Sequence, residues 1–246
     1  MIKLLLLLFS GLKFLKFGKL LMTGGTMLLS VVLYAFVYGW RYAVGIVAML
    51  FVHEIGHYMA ARRRGLGAEL PMFIPFAFAW TALKDKPHNS ETEAYVSLAG
   101  PLVGTLGALA CYFIARDTHT DWLLAVAYTG LFINLINLIP ILPFDGGRIT
   151  QVISPWLWVI GVPMLVLLFL RMQSPLLLFF AALGAVETFQ MWKRRNDPEM
   201  RAYRQTSAET RITYAMAYLG LAGFLAVMTH DVHEMLQVAR VGAGTV

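Results

Sequence analysis

The sequence predicts an all-α polytopic membrane protein. It has about six to seven transmembrane helices and a short membrane-associated β-strand region after a histidine-bearing helix. Three observations predict this. Hydrophobic residues make up 59% of the 246 positions and charged residues only 14%, against roughly a quarter charged in an average soluble domain. Charge-free apolar runs occupy 24–40, 94–115, 122–144, 149–170 and 212–229, and several reach the roughly 20 residues that span a bilayer as a helix. The basic residues are also unevenly placed along the chain. This composition excludes a soluble globular enzyme, and its abundance of apolar and aromatic residues excludes disorder.

The N-terminal stretch carries Lys13, Lys16 and Lys19 on one side of a helix, opposite Leu12, Phe14, Leu15 and Leu21. Residues 1–22 are expected to form an amphipathic segment on the membrane surface. A single transmembrane domain is expected over 23–229 and a short solvated tail over 230–246. Seven apolar crossings are expected at about 23–40, 41–61, 94–115, 122–142, 149–170, 174–192 and 212–229. The fifth is the weakest as one straight helix, because Pro155 and Pro163 interrupt it. Residues 65–92 do not fit a span. Pro71, Pro75 and Pro87 break helices there, and the alternation of Phe76, Phe78 and Trp80 with Ala77, Ala79 and Thr81 reads as a strand. An open strand edge cannot face lipid, so this segment belongs at the interface or within protein.

Orientation follows from Lys and Arg placement. With the N-terminus in the cytoplasm, the odd number of crossings leaves 16 of the 20 basic residues inside. Outside fall Arg41, Arg116, Arg171 and Arg240. This bias is the positive-inside pattern, and it accounts for the net charge of +6 without a nucleic-acid partner. One cysteine, Cys111, excludes a disulfide framework within the chain. No internal repeat appears, which disfavours the repeat-built transporter folds.

The strongest chemical signal is Phe51-Val52-His53-Glu54-Ile55-Gly56-His57. Four-residue spacing puts His53 and His57 on one helix face, one turn apart, with Glu54 beside them. This is the HExxH arrangement, in which two histidines hold zinc and the glutamate activates water. Ionisable groups in an apolar helix are costly and mark function. A zinc site of this kind normally takes a third ligand, and two carboxylates compete for the place. Asp145 follows the fourth crossing, and Glu187 lies in the sixth. Helix rise puts both within reach of the layer that holds His57, so depth does not choose between them. The turn chemistry favours Asp145: Pro140 and Pro143 end the helix, and Gly146-Gly147 lets the backbone turn and approach a metal. Asn137 is a candidate donor to substrate or brace of the same turn. Pro140 and Gly146 join it as candidates for substrate binding or turn support. The second polar cluster, His230, Asp231, His233 and Glu234, reads as part of the solvated tail.

These stretches, with Ser97-Leu98-Ala99-Gly100-Pro101 and Asn137-Leu138-Ile139-Pro140 running on to Asp145-Gly146-Gly147-Arg148, resemble the site-2 proteases, a family of intramembrane zinc metalloproteases. The three motifs occur in the family's order and cover about 50–150. The resemblance implies one catalytic zinc ion on His53, His57 and Asp145, with Glu54 as the base. It also implies a membrane-spanning protein substrate, a short sheet after the HExxH helix, and an active site toward the cytoplasm. A prokaryotic cell membrane is the expected setting. Family members often carry Asn three residues after the Gly-Pro proline; here that position is Gly104. No insertion long enough for a PDZ domain is present, which leaves substrate recognition to the membrane part. The alternative reading is a non-proteolytic membrane zinc-binding protein, a sensor or inactive relative that keeps the ligands and does not need Glu54. A metal transporter would need polar residues through both leaflets, whereas the ionisable groups here cluster toward one side.

Overall fold

The computed structural model describes residues 21–75, 78–194 and 196–243. The interfacial segment expected at 1–22 lies, up to position 20, outside the described residues, as do Phe76 and Ala77. Helix α1 (Leu21–Tyr38) meets α2 (Trp40–Arg63) through Gly39 alone. Its φ of 82° is a conformation that glycine adopts without a steric penalty. Phe73, in the segment after α2, links the two helices: it stacks on Phe51 of α2 and sends its N–H to Thr26 Oγ1 of α1.

That segment is an antiparallel hairpin, β1 (Met72–Ile74) with β2 (Phe78–Trp80), in the register Met72↔Trp80, Phe73↔Ala79 and Ile74↔Phe78. Its stem continues outward through Glu69 N to Ala82 O and Lys84 N to Gly67 O. The single strand expected over 76–81 is thus the second arm of a two-stranded unit. The first arm lacks the period-two pattern because Met72, Phe73 and Ile74 are all apolar.

Helix α3 (Ser90–Thr118) is the central element, packing on α2, on α4 (Asp121–Asn137) and on α5 (Asp145–Ile153). Asn89 caps it by accepting from Thr92 N at 2.8 Å, and Glu91 and Glu93 in its first turn favour the positive end of the helix dipole. Helix α4 has 17 residues, about 26 Å of rise, somewhat short of a hydrocarbon core of roughly 30 Å. Tight turns over 138–144 continue it. Non-helical backbone at membrane depth must be covered by protein, and Leu138, Ile139 and Ile141 are indeed at most 5% exposed.

The expected fifth crossing, 149–170, is two elements. Ser154 takes an extended conformation before Pro155 and ends α5, and the span proper is Pro155–Met172, whose α-helical part is α6 (Trp158–Met172). The physical reason is proline's bias of the residue before it away from the helical conformation. Pro163, by contrast, sits inside α6. Helix α7 (Pro175–Lys193) pairs with α6 over Ile141 and Phe144. A short α8 (Pro198–Tyr203) leads to α9 (Ala208–Ala243), which packs on α4 and α5. Helix α9 runs on past the boundary expected at 229, so the described part of 230–246 is helical.

Among the described residues, six helices are long and apolar enough to cross a membrane, and α4 is a seventh, shorter apolar helix. Leu106, Leu167, Phe179 and Leu219, each more than half exposed in the isolated chain, form the kind of surface that lipid covers. The chain is an all-α polytopic membrane protein with one small hairpin. Its polar ends are tied together. Arg64 pairs with Glu91 at 4.0 Å and stacks on Tyr95. Glu93 accepts from Gln151 Nε2 and the Tyr203 hydroxyl and faces Arg148. Burial, and then the Glu93 carboxylate, push the Tyr203 phenol up, so it remains a donor. At the other end Tyr42 bonds Thr129, and His233 packs on Tyr128.

Candidate metal centre

Helix α2 carries His53 and His57 on the face turned to α3, and both are buried. Their Nε2 atoms lie 3.0 Å apart. Each is 3.2 Å from Asp145 Oδ2, at the first residue of α5. Among the described residues these form the one group of three or more His, Cys, Asp or Glu side chains close enough to share an ion.

The proton positions make the geometry informative. His57 Nδ1 is 2.9 Å from the Val96 carbonyl oxygen, and His53 Nδ1 is 2.7 Å from Asn134 Oδ1. Both partners only accept, so both Nδ1 atoms donate, and in neutral imidazoles both Nε2 atoms then carry lone pairs. Asp145 Oδ2 is a further acceptor. With neutral imidazoles, three acceptors at mutual distances of 3.0–3.2 Å repel one another unless a metal ion or a shared proton lies between. A tetrahedral zinc with bonds of about 2.0–2.1 Å separates its ligands by roughly 3.3–3.4 Å, close to these spacings. Two imidazoles and a carboxylate also match zinc's preferred donor set, with a fourth position left over.

Asp145 reaches the histidines because its turn is held from several sides. Tyr218 of α9 donates to the Leu138 carbonyl at 2.6 Å, and Trp158 Nε1 donates to the Gly147 carbonyl at 2.8 Å. A methyl on Gly146 would overlap the Leu138 and Ile139 carbonyls, so the start of α5 packs directly on the backbone before it. Gly100 has a matching role in α3, where a Cβ would overlap the His57 ring.

Glu54 is 6% exposed beside this group. Its Oε2 accepts from Thr81 Oγ1 at 2.9 Å, and the same hydroxyl lies 3.2 Å from the Glu54 carbonyl oxygen. Thr81 is the residue directly after β2, so the hairpin's second arm ends on the Glu54 carboxylate.

The structure therefore gathers His53, Glu54, His57, Asp145 and Gly146. Pro140 lies in the turn before Asp145, its carbonyl packed where a Cβ on Gly161 would stand. Asn137 turns back on its own helix, donating from Nδ2 to the Ile133 carbonyl at 3.0 Å. Glu187 stays on α7 outside the ligand group, and so do His230 and His233 on α9. Two contributors were not read from sequence. Asn134 carried a usable signal, a polar side chain within the charge-free run 122–144. Thr81 carried none, because only the hairpin's return brings it to Glu54.

Fold and site together define a membrane-embedded HExxH helix whose two histidines meet an aspartate from a neighbouring helix, a group that could hold a metal ion. Residues 41–121 match the model of Peptidase family M50. Zinc metalloprotease MJ0392 of Methanocaldococcus jannaschii is 32% identical over 115 residues, 43% of this chain and 33% of that protein. "Putative zinc metalloprotease Rip3" of Mycobacterium tuberculosis is 32% identical over 126 residues, 47% of this chain and 30% of that protein. The chain thus spans about a third of the length of these relatives. The site-2 protease resemblance read from the motifs is shown by these matches. The segment 41–121 matched by the family model holds His53, Glu54 and His57, whereas Asp145 lies beyond that segment.

Proposed function

We propose that this chain is an intramembrane zinc metalloendopeptidase that hydrolyses peptide bonds within or near transmembrane segments of other membrane proteins. The observation that carries the reading is the buried triangle of His53 Nε2, His57 Nε2 and Asp145 Oδ2 with the Glu54 carboxylate beside it. His53, His57 and Asp145 would hold one zinc ion, which supplies Lewis acidity to water and to the scissile carbonyl. Glu54 takes a proton from the attacking water and returns it to the leaving amine nitrogen. Thr81 holds Oε2, which directs Oε1 to that proton. The hairpin presents the edge of β2 to a locally unwound substrate, pairing by β-augmentation.

The reaction belongs to a single membrane domain over 23–229, with the N-terminus and the site on the cytoplasmic side, where the basic residues concentrate. The substrate class is a membrane-spanning protein, such as a tethered regulator released by cleavage. The test uses the purified chain reconstituted with a model membrane substrate. Glu54→Gln is expected to keep bound zinc and abolish cleavage, because it removes the base and spares the ligands. Undiminished cleavage by Glu54→Gln overturns the role of Glu54 as the base, and a wild type that cleaves nothing overturns the protease reading and leaves a metal-binding protein that does not need Glu54.

A further inference from the structure

Asn134 is only 2% exposed at the middle of the bundle, and both ends of its carboxamide are used. Nδ2 donates to the Gly130 carbonyl at 2.8 Å, which fixes the orientation of the amide and aims Oδ1 at His53 Nδ1, 2.7 Å away. The other histidine is held by a main-chain oxygen, Val96 O. Thus His53 is the ligand whose outer partner is a replaceable side chain. That side chain fits for one reason. Asn134 lies against Gly104 of α3, where a Cβ would stand 2.7 Å from Nδ2 and overlap Oδ1. The α3–α4 crossing has room for one side chain at this point, and Asn134 fills it.

We propose that Asn134 and Gly104 act as one coupled unit that sets the metal affinity of this site. Asn134 is a positioning residue: it keeps the His53 proton on Nδ1 and the Nε2 lone pair on the ligand triangle. Gly104 is the space that lets it do so. Partners of this kind fix ring orientation and raise ligand basicity, and their loss typically weakens metal binding by about 10–100-fold. The inference rests on reading His53, His57 and Asp145 as metal ligands, and it adds two residues that touch neither the ion nor substrate.

The experiment measures zinc dissociation constants by competition with a chromophoric chelator, on the full chain in detergent. The proteins are wild type, Asn134→Leu, Asn134→Asp, Gly104→Ala and the Asn134→Leu/Gly104→Ala double variant. Thermal unfolding of each metal-free protein serves as the control for folding. Asn134→Leu is expected to weaken zinc binding by about 10–100-fold. Asn134→Asp keeps the acceptor for the His53 N–H but gives up the donor to Gly130, and it weakens binding less than Asn134→Leu does. Gly104→Ala weakens binding as Asn134→Leu does, because its methyl displaces the carboxamide. The double variant is no weaker than the worse single one, the signature of sites acting as a unit.

The proposal is overturned if Asn134→Leu binds zinc as wild type does, or if Asn134→Asp is as weak as Asn134→Leu. Additive losses in the double variant also overturn it. If Asn134→Leu unfolds without metal, the Asn134→Asp and Gly104→Ala values decide. A wild type that binds no zinc overturns the ligand assignment and this inference with it. A protein whose zinc affinities follow the pattern but which cleaves nothing overturns the protease reading alone.

Discussion

Glu54 and Asp145 show how far single residues could be read from sequence. Both are carboxylates in apolar surroundings, where an ionisable group without a compensating partner is costly. Scarcity of charge made them conspicuous. The preference for Asp145 over Glu187 rests on the prolines before it and the glycines after it, and in the structure Gly146 packs on the Leu138 and Ile139 carbonyls. Asp145→Ala is expected to lose bound zinc and Glu187→Ala to keep it, measured as metal content after gel filtration. The reverse pattern would exchange the third ligand. Thr81 was illegible because its partner lies 27 positions earlier and no local pattern links them. With zinc content unchanged, Thr81→Val is expected to lower kcat by about tenfold, the scale set by one hydrogen bond to a charged group. KM should move little, and Thr81→Ser should restore the rate. A wild-type kcat in Thr81→Val would show that the hydroxyl does not orient the base.

At the scale of elements, helices were read well and their breaks less well. Apolar run length decides whether a helix spans, and it gave α2, α3, α7 and the apolar body of α9. It does not show that Pro155 ends one helix while Pro163 rides inside the next, because that choice depends on packing around each proline. The hairpin needed both arms, and only the second alternates. Its edges are not equivalent. The Phe73 N–H points away from β2, to Thr26 Oγ1 of α1. In an antiparallel pair this makes Phe73 and Ala79 a non-hydrogen-bonded pair, so the Ala79 N–H points to the outer edge of β2. Proline at Ala79 removes that donor while sparing the ladder bonds. Ala79→Pro is therefore expected to reduce cleavage at least tenfold with zinc affinity intact. Unchanged cleavage would count against pairing of substrate along this edge.

Across the whole molecule, the candidate metal centre is assembled from five separate pieces. Helix α2 supplies the histidines and the base, α3 the Val96 carbonyl, α4 Asn134, α5 Asp145, and the end of the hairpin Thr81. The ligands come from two elements 88 positions apart in sequence, His57 and Asp145, so an ion held between them ties α5 to α2. Anything that binds the folded state alone stabilises it by mass action. Free zinc at 100 times its dissociation constant adds about 2.7 kcal/mol. For a chain of this size that corresponds to a rise of roughly 5–10 °C in Tm, taking about 2–4 °C per kcal/mol. Chelation of the detergent-purified protein is expected to lower Tm by that amount, and restored zinc to return it. Asp145→Ala should show neither change, since it lacks the ligand from α5. A wild-type Tm indifferent to zinc would mean that the triangle of acceptors is relieved in some other way, by a proton shared among the three groups, and that no metal couples the two helices.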